Sequence, residues 1–411
     1  MNKSRTRKAG LFVFGVIVCV VVVFLFKDRI GVIVIPKKEI PLQTQEQQED
    51  LLAQKLGVPD GFKISTYARN LNGPRVIVFD PKNRLIVSET KEGKVVRLVD
   101  ADNDGFAEIR EVIISDVPKP HGLALACNDQ EGATCILYVA THNTVDSYVY
   151  DIVTGALSNK KKLIDIPASA TDRHYTRSLL WDKMTPSLLY VSVGSSCDVC
   201  KEKDPFRAGI SVYNIEKKTI ERYATGLRNA VFMTINPKDN SIVATEMGRD
   251  GLGDELPPDE INTIIGGNDY GWPICFGNNI HDKQYDKNTY IRNPCTKPFT
   301  TPSLIDLPAH SAPLGLTFVT NNLWPKKYLN GLIVAYHGSW NRSIPTGYKL
   351  VFIGIREDGT YMDPVDFVTG WLTSDGTKIG RPVGLAFGND EALYVSDDTA
   401  GVIYRIEYEK E

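Results

Sequence analysis

The sequence lacks any long helical pattern beyond its N-terminal segment, which argues against a helical bundle or an alternating α/β fold. It also lacks a surplus of basic residues. With 47 Lys and Arg against 50 Asp and Glu, no nucleic-acid-binding surface is expected. No Cys-x-x-Cys-His motif is present, which excludes covalent attachment of a c-type haem. The 411 residues, 42% apolar and 24% charged, instead have the composition of a globular protein with a sizeable core.

The long apolar run of the chain lies near its N-terminus, in residues 11–26, and follows a basic start. It is somewhat shorter than the roughly 20 residues that span a bilayer, and no Ala-x-Ala cleavage site follows it. We expect residues 1–36 to form an uncleaved transmembrane helix, with a signal peptide as the alternative, and residues 37–54 to form a polar linker. The positive-inside rule then predicts a single-pass protein of the cell membrane whose main domain lies in the periplasm or outside the cell.

The cysteines agree with export, because six of the seven fall into three close pairs. We predict three local disulfides: Cys127–Cys135, Cys197–Cys200 and Cys275–Cys295. The competing interpretation of Cys197-x-x-Cys200 is a metal or redox motif. No second Cys-x-x-Cys or paired His completes a zinc site in the sequence, so the disulfide is favoured.

Six segments of the chain repeat one pattern, in which a polar turn leads into an alternating apolar strand and a second strand follows. Alternation with period two, and Gly, Pro, Asn and Asp between the strands, predict antiparallel sheet. The strand pairs are GPRVIVFD with RLIVSET, PHGLALAC with ILYVATH, TRSLLWD with LLYVSVG, LRNAVFMTINP with SIVATEM, APLGLTFVT with GLIVAYHG, and RPVGLAFG with ALYVSDD. Six such sheets arranged radially make an all-β fold, a six-bladed β-propeller, which we assign to residues 55–411.

The innermost strand of each propeller blade begins near the mouth of the central channel, so the residues at these six starts should converge. They are Arg75, His121, Arg177, Arg228 with Asn229, Pro313 and Arg381. Guanidinium groups bind carboxylates in a bidentate manner, and four of them around one channel predict a small ligand with several negative charges. The alternative is that each arginine pairs with an acidic neighbour at a junction between blades.

Two acidic segments are candidate calcium sites. The loop 246–262 combines carboxylates with glycines and paired prolines, and an irregular backbone of this kind offers oxygen ligands to a hard cation. Asp100, Asp102 and Asp104 resemble the first half of an EF-hand loop and predict a peripheral structural calcium. A solvated acidic loop and a tight polar turn are the respective alternatives.

Several motifs occur together in one order: PHGLAL, GLRNA, EMGRDGLGDELPPDEIN, GGNDYGWP, HGSWNRS and RPVGLAF. From about residue 57 to residue 408, the chain resembles the soluble glucose and sorbosone dehydrogenase family, the aldose dehydrogenases that depend on pyrroloquinoline quinone (PQQ). The resemblance implies a six-bladed propeller that holds PQQ over the channel mouth, with calcium between cofactor and protein. PQQ is a tricarboxylate ortho-quinone, so it fits the anionic ligand that the arginines predict.

The resemblance also implies residue roles. His121 would be the general base that takes the proton of the sugar's anomeric hydroxyl while a hydride moves to the quinone. Arg228 would stabilise negative charge on the quinone oxygen, and Asn229 would hydrogen-bond the cofactor. The main-chain carbonyls of Gly248 and Arg249 would ligate the calcium, which would then polarise the quinone as a Lewis acid.

The remaining predicted cofactor ligands are basic residues of the other blades: Arg75, Arg177, His337, Arg342 and Arg381. His337 and Arg342 belong to HGSWNRS, a stretch typical of the sorbosone-type branch, where some relatives have a cofactor-binding lysine instead. Trp340 of the same stretch either stacks on a planar ligand or packs in the core. Among the other histidines, His310 is expected near the channel, whereas His142, His174 and His281 are expected to be structural or at the surface.

The predicted function is therefore PQQ- and calcium-dependent oxidation of an aldose-type sugar, with a separate cytochrome or quinone as electron acceptor. Two alternatives remain at the level of the sequence. A calcium-dependent propeller lactonase would need Asp, Glu and Asn at the inner strand starts, where this chain has mostly Arg. A non-catalytic propeller anchored to the envelope would bind glycans or a protein partner.

Overall fold

The computed structural model describes residues 51–127, 134–169, 171–320 and 322–409. The predicted transmembrane helix and most of the predicted linker lie outside these residues. Within them, no helix is long and apolar enough to cross a membrane. Helical structure in the described residues is limited to two short 3-10 turns, Ala53–Lys55 and Lys326–Tyr328.

Six four-stranded antiparallel sheets form the blades of the propeller. The first strand of the described residues is β1 (Phe62–Ala68), which belongs to the last blade. Blade 1 contains β2 (Pro74–Phe79), β3 (Leu85–Glu89), β4 (Lys94–Val99) and β5 (Ile109–Ile114). Blade 2 contains β6 (Leu123–Ala126), β7 (Thr134–Ala140), β8 (Thr144–Asp151) and β9 (Leu157–Asp165). Blade 3 contains β10 (Arg177–Trp181), β11 (Leu188–Val193), β12 (Gly209–Asn214) and β13 (Thr219–Thr225).

The fourth blade carries an insertion, and the sixth is shared between the two ends of the propeller. Blade 4 contains β14 (Met233–Ile235), β15 (Ile242–Glu246), β16 (Asp259–Ile264) and, after the small hairpin β17 (Cys275–Phe276) and β18 (Ile280–His281), β19 (Ile305–Leu307). Blade 5 contains β20 (Pro313–Phe318), β21 (Leu332–Tyr336), β22 (Lys349–Ile353) and β23 (Val365–Val368). Blade 6 contains β24 (Pro382–Phe387), β25 (Leu393–Asp397) and β26 (Val402–Tyr408), and its fourth strand is β1.

The strands that open the blades, β2, β6, β10, β14, β20 and β24, form the inner ring. Each contacts the inner strand of the next blade, and β24 contacts β2, so the ring is closed. This ring explains the glycine that the PHGLAL, PLGLTF and PVGLAF motifs share. A Cβ atom on Gly122 or Gly384 would lie only 2.5 or 2.2 Å from a carbonyl oxygen of the neighbouring inner strand. Glycine is needed there because the inner strands approach one another closely.

The all-β six-bladed propeller predicted from the sequence is confirmed, and the six predicted strand pairs are the first two strands of the six blades. The core lies between the blades. At the junction of blades 5 and 6, Phe62 of β1 makes edge-to-face contacts with Trp324, Tyr328 and Phe367, at centroid distances of 4.7, 5.4 and 5.2 Å. The strand that closes the ring therefore contributes to the core as well as to the sheet.

The three predicted disulfides, Cys127–Cys135, Cys197–Cys200 and Cys275–Cys295, are confirmed. With both sulfurs of Cys197 and Cys200 bonded to each other, the metal-site interpretation of this pair is wrong. The loop predicted over residues 246–262 is shorter than expected. Glu246 ends β15 and Asp259 already begins β16, so the irregular backbone covers only residues 247–258. The sequence DEINTI alternates between buried faces of a sheet, a pattern that the acidic loop before it obscures.

Candidate active site

A cavity of about 290 Å³ lies where loops of blades 3, 4 and 5 meet the inner ring, and we call it the funnel cavity. Its walls come from the segments before β10 and β14, the loop after β15, the turn before β20 and the loop after β21. The residues that line it are Arg173, His174, Arg228, Met247, Gly248, Asp250, Asp259, His310, Ala312, Trp340 and Asn341. The cavity thus brings together residues that are far apart in the sequence.

His174 is the residue whose geometry best suits proton transfer. Its Nδ1 lies 3.0 Å from both the carbonyl oxygen and the Oγ of Ser195. The Ser195 hydroxyl donates to the Cys197 carbonyl at 2.6 Å, so its oxygen is left to accept from His174. Nδ1 therefore carries the proton, and Nε2 is the unprotonated nitrogen. Burial and the nearby Arg228 lower the pKa of His174 to about 3, so the ring is neutral at physiological pH.

His121, the predicted general base, has a different environment. Its side chain is fully buried, and Nδ1 contacts the Arg177 carbonyl at 3.2 Å. Nε2 has no hydrogen-bond partner among the described residues. Burial and the charge of Arg75 hold the pKa of His121 well below its usual value. A ring without accessible surface cannot contact a sugar in the funnel cavity, so the predicted catalytic role of His121 does not fit its position.

Arg228 lies in the cavity wall as predicted, and Asp198 fixes its orientation. Nη2 donates to Asp198 Oδ1 at 2.7 Å, Nε donates to the Asp198 carbonyl at 2.9 Å, and Nη1 donates to the Met247 carbonyl at 3.2 Å. Asn229 lies beneath the wall and is 6% exposed, with its backbone N–H bonded to Glu246 Oε1 at 2.9 Å. Gly194 permits this arrangement, because a Cβ there would meet Asn229 Oδ1 at 2.5 Å and His174 Cβ at 2.7 Å.

Arg177 was predicted to bind the cofactor, but its side chain is fully buried. Its guanidinium donates to the carbonyl oxygens of His174 and Thr176, at 2.9 and 3.0 Å, and lies 3.5 Å from the Asp172 carboxylate. The same Asp172 also accepts from Arg207 at 2.7 Å. Arg177 therefore supports the segment that carries His174 and does not present its charge to a ligand.

Arg75, His337 and Arg381 form a second basic group on the side of blades 1, 5 and 6, around Asp398. Arg75 forms an ion pair with Asp398, and His337 Nε2 lies 3.0 Å from Asp398 Oδ1. The hydrogen bond from His337 and the charge of Arg75 hold the pKa of Asp398 far below its usual value, although burial opposes this. Arg381 donates to the Gly338 carbonyl at 2.9 Å, and in the described part of the chain it has no carboxylate partner.

The arginine ring predicted from the sequence is therefore only partly available to an anion. Arg75, Arg177 and Arg228 each pair with an aspartate, as the alternative interpretation anticipated. Arg381 has no carboxylate partner among the described residues, and its guanidinium donates to the Gly338 carbonyl and the Tyr348 hydroxyl. Arg173, which the sequence analysis passed over, is 54% exposed at the cavity, with aspartates no closer than 3.7 Å. These two residues are the best placed to meet carboxylates of a ligand.

The loop 247–258 provides the features that a hard cation requires. No hydrogen bond among the described residues uses the carbonyl oxygens of Gly248 or Arg249. A space of about 20 Å³ is bordered by both residues and by Glu246 and Glu260. Among the described residues, the buried Glu246 Oε2 has no hydrogen-bond partner, and burial together with the Glu260 carboxylate raises the pKa of Glu246 well above its usual value. A small space bordered by a buried carboxylate and by residues with free carbonyls suits calcium.

The side chain of Arg249 donates to Asp282 Oδ2 at 2.8 Å, which anchors the loop on the β17–β18 insertion, and Asp282 also borders this space. On the other side Asp259, the first residue of β16, accepts from the Gly248 N–H at 2.9 Å and the Ala312 N–H at 2.8 Å. Burial raises the pKa of Asp259 to about 6. The loop 247–258, which we call the calcium-type loop, is thus held at both ends.

The HGSWNRS stretch crosses to this loop. Asn341 Nδ2 donates to Asp250 Oδ1 at 2.7 Å, and Arg342 donates to the carbonyls of Asp254 and Ala309 at 2.8 and 3.1 Å. Arg342 is therefore committed to protein oxygens. Trp340 lies beside it at the cavity and is 72% exposed, so its predicted alternative as a core residue is wrong.

The acidic turn after β4 also has the predicted arrangement. Carboxylate oxygens of Asp100, Asp102, Asp104 and Glu108 lie within 4.8 Å of one another. Backbone N–H groups of the same turn already occupy several of them, as between Gly105 and Asp100 at 3.0 Å. A structural calcium at this turn stays a prediction.

The sequence analysis missed His174, Arg173 and Asp250 as cavity residues, and it was right to place His310 near the channel. The signal for His174 was its position three residues before Arg177, which begins β10. Position before an inner strand does not decide exposure by itself. Arg177, the first residue of β10, is fully buried, and so is His121, although it lies two residues before β6.

The chain is similar to known proteins over most of its length. The model of the TrAA12-like family matches residues 56–409. An uncharacterised protein of Borreliella burgdorferi is 32% identical, over 87% of this chain and 92% of its own length. A pyrroloquinoline quinone-dependent sugar dehydrogenase of Hypocrea jecorina is 26% identical, over 84% and 87%. A pyrroloquinoline quinone-dependent pyranose dehydrogenase of Coprinopsis cinerea is 25% identical over 86% of this chain, but the match spans only 54% of that enzyme.

Solved structures show the same fold. The holo PQQ domain of the Coprinopsis cinerea pyranose dehydrogenase superposes with a TM-score of 0.70 at 22% identity, covering 86% of this chain and 97% of that domain. The calcium structure of the Trichoderma reesei family AA12 enzyme gives a TM-score of 0.71 at 24% identity, with the same coverage. The expected relationship to PQQ-dependent sugar dehydrogenases is confirmed, and the chain belongs to the TrAA12-like family.

Proposed function

We propose that this protein oxidises a pyranose sugar with PQQ and calcium, taking hydride from the anomeric carbon. The observation that carries the proposal is the funnel cavity, where a neutral histidine with an unprotonated nitrogen lies beside a fixed guanidinium and a calcium-type loop. The names of the curated relatives from Coprinopsis cinerea and Hypocrea jecorina support the cofactor and the substrate class.

His174 is the proton acceptor in this proposal. Because Ser195 holds the proton on Nδ1, Nε2 can accept the proton of the anomeric hydroxyl. The low pKa of the ring keeps it ready at physiological pH, although it also makes the histidine a weaker base. Once His174 has taken the proton it is a buried cation, and Asp198, which lies close enough to raise the pKa of His174, stabilises this charge. No step requires His121.

Arg228, Arg173 and Arg381 would hold the cofactor's negative groups, with Arg228 placed to stabilise charge that grows on a quinone oxygen. When bound, PQQ supplies the two-electron acceptor for the hydride. The exposed indole of Trp340 offers a flat apolar surface beside the cavity, to which a sugar ring can pack. The electrons then leave through a separate acceptor, a cytochrome or a quinone.

Calcium would be held by the carbonyls of Gly248 and Arg249 beside the buried Glu246 carboxylate. A divalent cation there offsets the negative charge of Glu246 and Glu260, both of which are buried. It would also polarise a bound quinone as a Lewis acid.

A membrane location is a further part of the proposal and rests on the apolar run 11–26 and the basic residues before it. We propose a single-pass anchor with the propeller outside the cytoplasm. N-terminal sequencing of the protein purified from membranes should find the start of the chain intact. A new N-terminus after residue 26 would favour a cleaved signal peptide.

The experiment that tests the function is reconstitution of the apo-protein with PQQ and calcium, followed by dye reduction with a panel of aldopyranoses. We expect reduction that depends on both additions. Hydrolysis of lactones without dye reduction would select the lactonase alternative. Absence of both activities, with no quinone absorbance retained on the protein, would favour a non-catalytic propeller.

A further inference from the structure

The segment 195–200 contacts both residues to which the proposed function assigns chemistry. It follows β11 and contains the disulfide Cys197–Cys200, whose cysteines are three residues apart. The Ser195 N–H is bonded to the Arg228 carbonyl at 2.7 Å, which places the start of the segment against the inner ring. From there, one group of contacts reaches His174 and another reaches Arg228.

The contacts to His174 fix its tautomer. Ser195 presents two oxygens to Nδ1, each at 3.0 Å. The Ser195 hydroxyl hydrogen is directed to the Cys197 carbonyl at 2.6 Å, so the hydroxyl oxygen can act only as an acceptor toward the ring. Both Ser195 oxygens therefore act as acceptors toward Nδ1, the carbonyl always and the hydroxyl while its hydrogen is directed to the Cys197 carbonyl, so the proton lies on Nδ1. If the segment shifts so that both oxygens leave the ring, it no longer holds the proton on that nitrogen.

The contacts to Arg228 fix its guanidinium. Asp198, within the disulfide ring, accepts from Arg228 with both its carboxylate and its own carbonyl, at 2.7 and 2.9 Å. The same carboxylate accepts from the Asp250 N–H at 3.0 Å, which links the segment to the calcium-type loop. These hydrogen bonds and the charge of Arg228 lower the pKa of Asp198 although burial opposes them. Two different oxygens of one residue can face one guanidinium only if the local backbone is held.

We propose that the Cys197–Cys200 disulfide positions the active site: it holds the segment 195–200 so that the two Ser195 oxygens set the tautomer of His174 and Asp198 aligns Arg228. The expected effect on catalysis rests on the proposed function, whereas the effect on the His174 tautomer is measured in the cofactor-free chain. The disulfide closes a ring of four residues, the shortest of the three disulfide loops, which have sequence separations of 3, 8 and 20. In the chain-entropy model such a short loop adds the least to global stability. Its presence beside the cavity is explained by local alignment.

The test compares the wild-type protein with the double variant C197S/C200S by nitrogen-15 NMR of labelled histidine, without PQQ or calcium. His174→Gln identifies the His174 signals by their absence. In wild type, we expect Nδ1 to have the shift of a protonated nitrogen and Nε2 that of an unprotonated one. In C197S/C200S we expect the two shifts to move toward each other, as in a mixture of tautomers. Ser195→Ala, which removes the hydroxyl but keeps the disulfide and the main-chain carbonyl at residue 195, should leave Nδ1 protonated.

The matched control is C127S/C135S, which removes a disulfide between the end of β6 and β7, in a hairpin that lines no part of the funnel cavity. It should leave the His174 signals unchanged. In reconstituted protein, C197S/C200S should lose about tenfold or more in kcat, since general-base catalysis contributes about 10²–10⁴. Its melting temperature should fall no more than that of C127S/C135S.

Wild-type His174 shifts in C197S/C200S would overturn the proposal, and so would a wild-type kcat in that variant. If C197S/C200S does not fold, the same spectra are compared for folded wild type before and after mild reduction with dithiothreitol, and unchanged His174 shifts would again overturn the proposal. If no sugar is oxidised by any reconstituted protein, the proposed function fails, but the tautomer comparison still supports or overturns the positioning by the disulfide.

Discussion

A histidine can take a proton from a substrate only if one ring nitrogen is both unprotonated and accessible. His174 meets both conditions, because Ser195 occupies Nδ1 and the ring lines the funnel cavity. His121 fails the second condition, since its whole side chain is buried in the inner ring. Two buried acids also define the site. Glu246 and Glu260 border the space beside the loop 247–258, and no basic residue of the described chain contacts them directly.

The first prediction concerns these two histidines. His174→Gln should reduce kcat by about 10²–10⁴-fold, since it removes the proton acceptor and keeps a side chain of similar polarity. PQQ binding, followed by quinone absorbance, should change little. His121→Gln should mainly lower the melting temperature, because it alters a fully buried position. A large loss of kcat in a stably folded His121→Gln, with normal turnover in His174→Gln, would reverse the assignment.

The second prediction concerns pH and Glu260. Burial raises the pKa of Glu260 in the folded state to about 7, above its ordinary 4.5. Between these pH values the folded state binds more protons than the unfolded state, so stability is highest below this range and falls as pH rises through it. For metal-free wild type, the free energy of unfolding should fall by about 3 kcal/mol from this group. Asp259, with a pKa of about 6, should contribute in the same direction.

Glu260→Gln should flatten that fall, and calcium should reduce it in wild type. Denaturant unfolding from pH 4.5 to pH 8 measures both effects. Glu216→Gln, at an exposed position of blade 3, is the control and should keep the wild-type slope. An unchanged slope in Glu260→Gln would mean that Glu260 has an ordinary pKa in the folded protein.

The sequence placed some residues correctly at the cavity and others not, depending on whether the neighbouring blade covers them. Arg228 and Asn229 were found because their motif lies at a strand start. His121 and Arg177 have the same nominal position, but the next blade covers both. Burial at this boundary changes within three residues, from His174 at the cavity to the wholly buried Arg177. A strand pattern locates the boundary only to within a few residues.

At the scale of elements, the site depends on loops that support one another across blades 3, 4 and 5. The segment 195–200 binds Arg228 and Asp250, and the HGSWNRS stretch binds Asp250 and Asp254. The loop 247–258 is therefore held from both sides before any ligand arrives. Such preorganisation lowers the entropic cost of binding a cation.

The third prediction concerns this support. Arg342→Lys keeps the charge, but a single ammonium nitrogen cannot replace both guanidinium nitrogens, of which Nη1 donates to the Asp254 and Ala309 carbonyls and Nη2 to Glu255. We expect the calcium concentration for half-maximal activity to rise about tenfold, equivalent to about 1.4 kcal/mol. The kcat at saturating calcium should stay within about twofold.

Calcium titration of the PQQ-loaded variants measures the change. The control is Lys349→Gln, which disrupts the Lys349–Asp366 ion pair of the same blade away from the cavity. Equal calcium midpoints for Arg342→Lys and wild type would contradict the support by this stretch and would return Arg342 to the role of a direct cofactor ligand.

The inner strands were easier to predict from the sequence than the outer strands and β16, because their burial differs. The inner and second strands are apolar on both faces, as in β21 with all five residues buried, and their patterns are clear. Among the outermost strands, β9 is mostly polar and has six exposed residues of nine, so it resembles a loop in sequence, and β5 and β13 are each exposed at three positions. β16 was hidden because it begins with Asp-Glu, whose carboxylates are buried by the site rather than by apolar packing.

At the scale of the molecule, the ring is closed by pairing β1 with β26 from the other end of the propeller. Phe62 pairs with Tyr408, and it also packs against Trp324, Tyr328 and Phe367. This closure holds blade 6 beside blade 1, and therefore Arg381 and Asp398 beside Arg75. Sequence repeats showed the six blades but not this closure, because β1 has no repeat partner before it.

The fourth prediction concerns closure. A variant that starts at residue 69 loses β1 and exposes the edge of β26, so it should unfold or aggregate. A variant that starts at residue 51 retains β1 and should melt cooperatively. Thermal melts followed by circular dichroism compare the two. Equal melting temperatures would show that β1 is dispensable for the propeller.

The most direct test of the central claim is anaerobic mixing of the PQQ- and calcium-loaded protein with an aldopyranose, while the absorbance of the bound quinone is followed. The proposed function predicts reduction of about one quinone per chain in wild type. His174→Gln should bind the quinone but reduce it at least about a hundredfold more slowly. Bound quinone that no aldopyranose reduces would contradict the function, and wild-type rates in His174→Gln would contradict the mechanism.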